Sequence, residues 1–183
     1  MVQGQSTVVK LGAWGSDAGA AHDIDAKAAA APHRLETIAV RWGKVIDSLA
    51  FTYTDEDGQP HAAGPWGSPG GVSEDLITLG PSEYVTEVAW TVGPFKLKEI
   101  EECVTSLKFV TNLGGTYGPF GNGDGTNHSL PVLDAGSVVG MFCRAADYLH
   151  AIGFYVRPLA VVESTASPAK PQGESLPALA TEG

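Results

Sequence analysis

The side chains best suited to chemistry fall in short, glycine-rich stretches. His22, Asp23 and Asp25 carry metal-ligating atoms within one such stretch. Zinc and calcium sites draw four or more ligands, and no second cluster completes the set, so a structural loop is the simpler reading and no metal or other cofactor is expected. Gly121-Asn122-Gly123-Asp124-Gly125 has the composition of a phosphate-cradling loop. Such loops open a helix, whereas this one leads into Ser129-Leu130-Pro131-Val132, which reads as a strand, and a hairpin turn is expected there. The chain has no Gly-x-Ser-x-Gly element and no Ser/His/Asp set in a strand-turn-helix context, so it is not expected to be an enzyme. Glycine clusters at strand ends have another use, because small residues let main chain approach a ligand closely. A ring of hydroxyls can be recognised by backbone N–H groups with one acceptor carboxylate in a tight pocket, and an aromatic ring can cover its apolar face. The stretches Gly15–Asp23 and Arg144–His150 could build such a pocket if the fold joins the two ends of the chain.

The elements that must position these stretches are short strands. Among 183 residues there are 23 glycines and 12 prolines, 43% of residues are hydrophobic and only 17% are charged, against a usual ~25%. That composition supplies a core and many turns, which favours strands over long helices. The β-rich runs are 7–12, 35–42, 45–54, 84–92, 100–111, 137–143 and 148–156. Several alternate with period two: Leu49, Phe51 and Tyr53 share a face, as do Val88, Trp90 and Val92, and Leu107 and Phe109. Turn signals separate them at Asp57-Gly58, Pro69-Gly70-Gly71, Gly93-Pro94 and Gly114-Gly115. Ten to twelve strands at this spacing predict an all-β sandwich, barrel or prism. The stretch 25–31, stopped at Pro32, is too short for an independent helix and reads as loop. From residue 158 onward, prolines interrupt Ala, Ser, Thr, Glu and Lys without an aromatic residue, a composition expected to be disordered. The division is a leader over 1–6, one domain over 7–157 and a tail over 158–183.

A formal charge of −10 and a pI near 4.8 disfavour nucleic acid as a partner. Cys103 and Cys143 lie within apolar runs and are expected as buried free thiols. No basic n-region with an apolar h-region opens the sequence, and no apolar run reaches the ~18 residues that span a bilayer. A cytoplasmic or nucleocytoplasmic protein without a signal peptide or membrane insertion is the expectation, and Asn127-His128-Ser129 reads as a turn rather than a used glycosylation site.

Five motifs in register then invite a family name. Lys10-Leu11-Gly12-Ala13-Trp14-Gly15 followed by Gly19, Val45–Tyr53, Gly67-Ser68-Pro69-Gly70-Gly71, Tyr117-Gly118-Pro119-Phe120-Gly121 with Leu130-Pro131, and Tyr148–Tyr155 together resemble the jacalin-related lectins over residues 7–157. The resemblance implies a β-prism I of three four-stranded Greek-key sheets in a single uncleaved chain. It further implies binding of mannose- or glucose-type glycans and a tie to plant stress or defence. In that family a glycine of the opening loop and a late Gly-x-x-x-Asp motif form the primary site; these fall on Gly19 and on Ala146-Asp147-Tyr148-Leu149-His150, with both motif ends changed. Ala146 adds a methyl where a positive φ would cost ~1–2 kcal/mol. His150 offers one acceptor and one donor in place of a carboxylate's two acceptors, so it either binds sugar differently or marks a degraded site. Tyr148 either stacks on the sugar or is sheet surface, sharing a strand face with His150 and Ile152. Trp14 and Phe120 read as core.

A second carbohydrate site is implied where Lys44, Val45 and Asp47 meet Gly70 and Gly71. There Asp47 is the best remaining carboxylate, unless it only bonds its own turn. Weak monovalent sites gain from linkage, which suggests a homodimer. The alternative is a β-prism interaction scaffold that has lost sugar binding, and a further one is a module once joined to another through the tail.

Overall fold

The computed structural model describes residues 7–24, 30–132 and 136–158. The predicted leader, nearly all of the predicted tail and most of the stretch 25–31 lie outside the described residues. Twelve strands occur in the order β1 (Val9–Gly15), β2 (Ala20–His22), β3 (Pro32–Trp42), β4 (Ile46–Asp55), β5 (Pro60–Gly67), β6 (Ser73–Thr78), β7 (Val85–Phe95), β8 (Ile100–Thr111), β9 (Thr116–Phe120), β10 (Thr126–Pro131), β11 (Ser137–Ala145) and β12 (Leu149–Arg157). One 3-10 turn, Lys96–Lys98, separates β7 from β8. No described helix is long and apolar enough to cross a membrane.

The strands make three four-stranded antiparallel sheets, ordered β5-β4-β3-β6, β10-β7-β8-β9 and β2-β11-β12-β1. The second and third touch through the single pair Val138↔Val85, near the starts of the inner strands β11 and β7. In the first two sheets three successive strands form a meander and the fourth returns beside the first, which is the Greek key, and the third repeats that spatial order. The third sheet takes β11 and β12 from late in the sequence and β1 and β2 from its start, with Lys10 opposite Tyr155 and Gly15 opposite Ala151. This is the expected β-prism of three four-stranded sheets.

Period-two alternation turns one side chain in two inward, as the sequence predicts. Leu49, Phe51 and Tyr53 of β4, Val88 and Trp90 of β7, Leu107 and Phe109 of β8 and Ile152 and Phe154 of β12 are all buried in one core. Trp14 and Phe154 flank Trp90, the latter two with ring centroids 4.9 Å apart, and Phe120 is buried beside Trp42. Phe120 is thus a core residue, as expected, and Trp14 is half-buried and packs against the core. Cys103 and Cys143 are buried free thiols, and burial pushes their pKa up to about 11 and about 12.

Three sequence expectations give way. Asn127-His128-Ser129 lies within β10, paired with β7, and is not a turn; His128 stacks on Trp90. Gly93-Pro94 lies inside β7, where the register against β8 shifts. Gly121–Gly125 is not a hairpin turn, because β9 and β10 are opposite edges of their sheet and the segment crosses the sheet's end. The strands missing from the predicted runs, β2, β5, β6, β9 and β10, are all edge strands. Edges tolerate Gly, Pro and Ala without a clean apolar alternation, which removes the periodic signal.

Each crossover segment is anchored in the same way. The pattern Gly-x-(Trp or Phe)-Gly occurs at 12–15, 64–67 and 118–121, once per sheet at the end of an edge strand. Its last glycine presses main chain onto main chain: a methyl added at Gly67 would lie 2.1 Å from the Asp47 carbonyl oxygen, at Gly15 the same distance from that of His150, and at Gly121 2.2 Å from that of Thr105. Just beyond it, an amide donates to that carbonyl: Ser68 N to Asp47 O, Ser16 N to His150 O and Gly123 N to Thr105 O, each at 3.1 Å. Asp47, His150 and Thr105 are therefore equivalent positions around a pseudo-threefold axis.

Gly67→Ala combines a forbidden φ of +112° with this contact, whereas Gly58 (φ +76°) has nothing within 4 Å of an added methyl. Urea unfolding should show Gly58→Ala losing ~1 kcal/mol and Gly67→Ala losing about 2–5 kcal/mol. Equal losses would mean that the close approach contributes nothing.

Candidate functional site

The loops predicted to close over the primary site do meet. Ala20 pairs with Ala145, and the Arg144 guanidinium donates to the Asp17 carbonyl at 3.0 Å and to the Gly19 carbonyl at 2.7 Å. Gly19, at φ +74°, lies so close to the turn between β11 and β12 that an added methyl would be 2.6 Å from Ala145 O. The turn itself, Ala146-Asp147-Tyr148, is closed by Ala146 N donating to Tyr148 O at 3.1 Å.

The individual residues behave differently from their sequence reading. Ala146 is exposed and is not among the positive-φ residues, so its methyl carries no backbone strain. Tyr148 lies in the turn rather than on a strand face with His150 and Ile152, and its ring packs edge-on against Phe95 with centroids 5.3 Å apart. Leu149 is fully buried in the core, so its side chain is shut off from any ligand. Asp147 is exposed. His150 is 7% exposed; period two puts it on the inward face with Ile152 and Phe154, at the mouth of the core. Its Nδ1 is buried without a hydrogen-bond partner. An imidazole brings a ring N–H donor to this position, where a carboxylate would present acceptors alone.

The second position is chemically different on the same frame. Asp47 is only 5% exposed and shares the inward face of β4 with Leu49. Its carboxylate accepts no hydrogen bond from the described residues, so it does not cap its own turn. Both oxygens face the β5–β6 crossover: methyls added at Gly70 and Gly71 would lie 3.2 Å from Oδ1 and 2.9 Å from Oδ2. Burial holds the Asp47 carboxyl above the usual aspartate range, with the Arg41 charge pulling the other way. Arg41 is itself tied to Gly70 O and Glu74. Val45 is buried, so only its main chain faces the loop, and Lys44 is exposed. The site is thus a carboxylate of low exposure without a donor among the described residues, fronted by main chain that has no side chains.

The third position, Thr105, is one that the sequence reading missed. Its hydroxyl is spent on main chain, lying 2.7 Å from Asp124 O and 3.3 Å from Thr91 O. The threefold recurrence of Gly-x-aromatic-Gly was the signal that could have placed it. The loop residues with metal-ligating atoms are held by other partners. His22 stacks on Trp66, Asp23 pairs with Lys10 at 2.5 Å and accepts the Tyr155 hydroxyl, and Asp25 lies outside the described residues. No group of three or more His, Cys, Asp or Glu among the described residues could hold a metal ion.

Comparison with known proteins agrees with this geometry. The family model of the jacalin-like lectin domain matches residues 11–155. The chain is 42% identical over 154 residues to Horcolin of Hordeum vulgare subsp. vulgare, spanning 84% of this chain and 99% of that protein. It is 36% identical over 150 residues to a mannose/glucose-specific lectin of Parkia pendula, spanning 82% of this chain and 32% of that protein. Among solved structures, AcmJRL, a mannose-binding jacalin-related lectin from Ananas comosus, superposes with a TM-score of 0.75 at 40% identity, covering 82% of this chain and 98% of that one. An artocarpin–mannotriose complex gives 0.72 at 30% identity, covering 82% and 98%. Sheet order, threefold anchoring and matched sequence converge, and the chain belongs to the family of jacalin-like lectin domains.

Proposed function

We propose that this protein is a lectin for mannose- and glucose-type glycans whose working site is the Asp47 position, with the primary position altered by His150. The observation that carries the proposal is the Asp47 carboxylate, nearly enclosed, unpartnered and fronted by Gly70 and Gly71. A buried ionised group without partners costs stability. It is tolerated where a ligand supplies the missing hydrogen bonds, and vicinal sugar hydroxyls do this as paired donors. Lys44 at the rim adds a donor for ring or hydroxyl oxygens. The relatives named for mannose or glucose support that sugar class. Each site is weak alone, a millimolar contact amounting to only ~−4 kcal/mol, so a dimer that links sites would raise avidity.

The proposal separates binding from stability. Asp47→Asn should weaken methyl α-mannoside binding in calorimetry by tenfold or more, the ~1.5–3 kcal/mol of charge-assisted bonds, while its thermal midpoint at pH 7 stays equal or rises. The sign follows from the raised folded-state pKa: a carboxyl harder to ionise when folded favours folding in its protonated form, and that contribution is lost as pH rises through the folded pKa. Sugar binding has the opposite dependence and should fail on acidification at a pH above the ordinary aspartate range. A glycan array silent toward every mannose- and glucose-terminated glycan would leave the interaction-scaffold reading instead.

The primary position yields a converse test. In an Asp47→Asn background, His150→Asp with Ala146→Gly replaces an imidazole donor by a carboxylate at the equivalent point of the frame. Mannoside binding should reappear at the β1–β2 and β11–β12 loops, with their amides shifting in NMR spectra. A double substitution that changes neither would show that the primary position is placed wrongly.

A further inference from the structure

We propose that the third pseudo-equivalent position is a separate site for an acidic saccharide, one bearing a carboxylate or sulfate. A cleft of about 460 Å³ opens there, bounded by Lys44, Lys96, Leu97, Thr105, Asn122 and Asp124, a size in the range of small-ligand sites. It lies where the threefold frame puts the counterpart of the Asp47 site, between the β9–β10 crossover and the turn from β7 to β8. The Asn122 amide donates to Lys44 O at 2.9 Å, which brings the β3–β4 loop to the same rim.

Three features set the ligand's chemistry apart from that of a neutral sugar. Thr105 replaces the carboxylate and its one hydroxyl proton is already donated to main chain, so the floor lacks the charged, two-oxygen acceptor that suits paired hydroxyls. The cations then point to an anion. Among the described residues, every arginine and Lys10 hydrogen-bonds or ion-pairs with a carboxylate or a main-chain carbonyl; Lys44, Lys96, Lys98 and Lys108 make no such contact. Two of these four lysines line this one cleft, with Asp124 as its one acidic lining residue. A locally positive cleft on a chain of formal charge −10 concentrates anions, and ammonium groups take carboxylate or sulfate as point charges without a fixed fork geometry. Leu97, 67% exposed at the lip, supplies an apolar contact for the C–H face of a ring. The site uses neither Asp47 nor His150, although it shares Lys44 with the rim of the Asp47 position.

The test is an NMR titration of the isotopically labelled full-length chain with methyl β-glucuronide and, separately, glucosamine 6-sulfate, against methyl β-glucoside as the neutral control. Either acid should shift the amides of residues 95–98 and 122–125, and which acid does so identifies the anion. Lys96→Gln, at an exposed position, should weaken that binding about fivefold, Lys98→Gln on the same turn should change it less than twofold, and Asp47→Asn should leave it unchanged. The proposal is overturned if neither acid moves those amides, if the neutral glucoside moves them equally, or if Lys98→Gln matches Lys96→Gln, which would reduce the effect to diffuse surface charge.

Discussion

One backbone contact, repeated three times, underlies the rest of the structure: an amide just past the last glycine of each Gly-x-aromatic-Gly segment donates to the carbonyl of Asp47, His150 or Thr105. The contact needs glycine because main chain meets main chain within a distance that no Cβ permits. It fixes each crossover loop over a buried residue of an inner strand. At that end of the prism the packed side chains give way to loop, so the inward residue is shielded from bulk water yet reachable by a ligand. The frame therefore creates three half-open positions and leaves their chemistry to one side chain each.

Those side chains differ in what they offer. Asp47 retains a charge in surroundings that penalise it, and burial outweighs the attraction of Arg41 in setting its pKa. Such a group is a poor stabiliser and a good acceptor, the compromise expected where binding rather than packing is selected. His150 turns the same geometry into a donor with an unsatisfied inner nitrogen. Thr105 spends its hydroxyl on neighbouring main chain and gives up the floor, leaving recognition to the lysines around it. A single backbone plan thus supports an acceptor, a donor and a cationic rim.

Closure of the third sheet brings residues far apart in sequence together. Strand β1 pairs with β12, and β2 with β11, so the loop carrying Gly19 rests on Ala145 and Ala146 across almost the whole described chain. Arg144 ties the two by donating to three successive carbonyls, from Asp17 to Gly19. Long-range pairing of this kind is slow to form because loop closure precedes the gain from contacts, yet it also makes the site depend on complete folding.

By itself the sequence determined the strand-rich class, the inward faces of β4, β7 and β8, the core placement of Phe120, and the family, because period-two burial and glycine-bearing turns are local patterns. It also delivered the residues of two positions through motifs. What it could not show was how edge strands pair. Read locally, Gly121–Gly125 is a hairpin turn and Asn127–Ser129 another turn, since neither the crossover nor the β7–β10 pairing leaves a periodic trace in those residues. Nor could it reveal that Ala146 sits at an ordinary φ, that Tyr148 is taken up by Phe95, or that Asp47 is buried without a donor. Burial and hydrogen-bond satisfaction depend on residues that approach from other sheets, and only the closed prism decides which of them arrive.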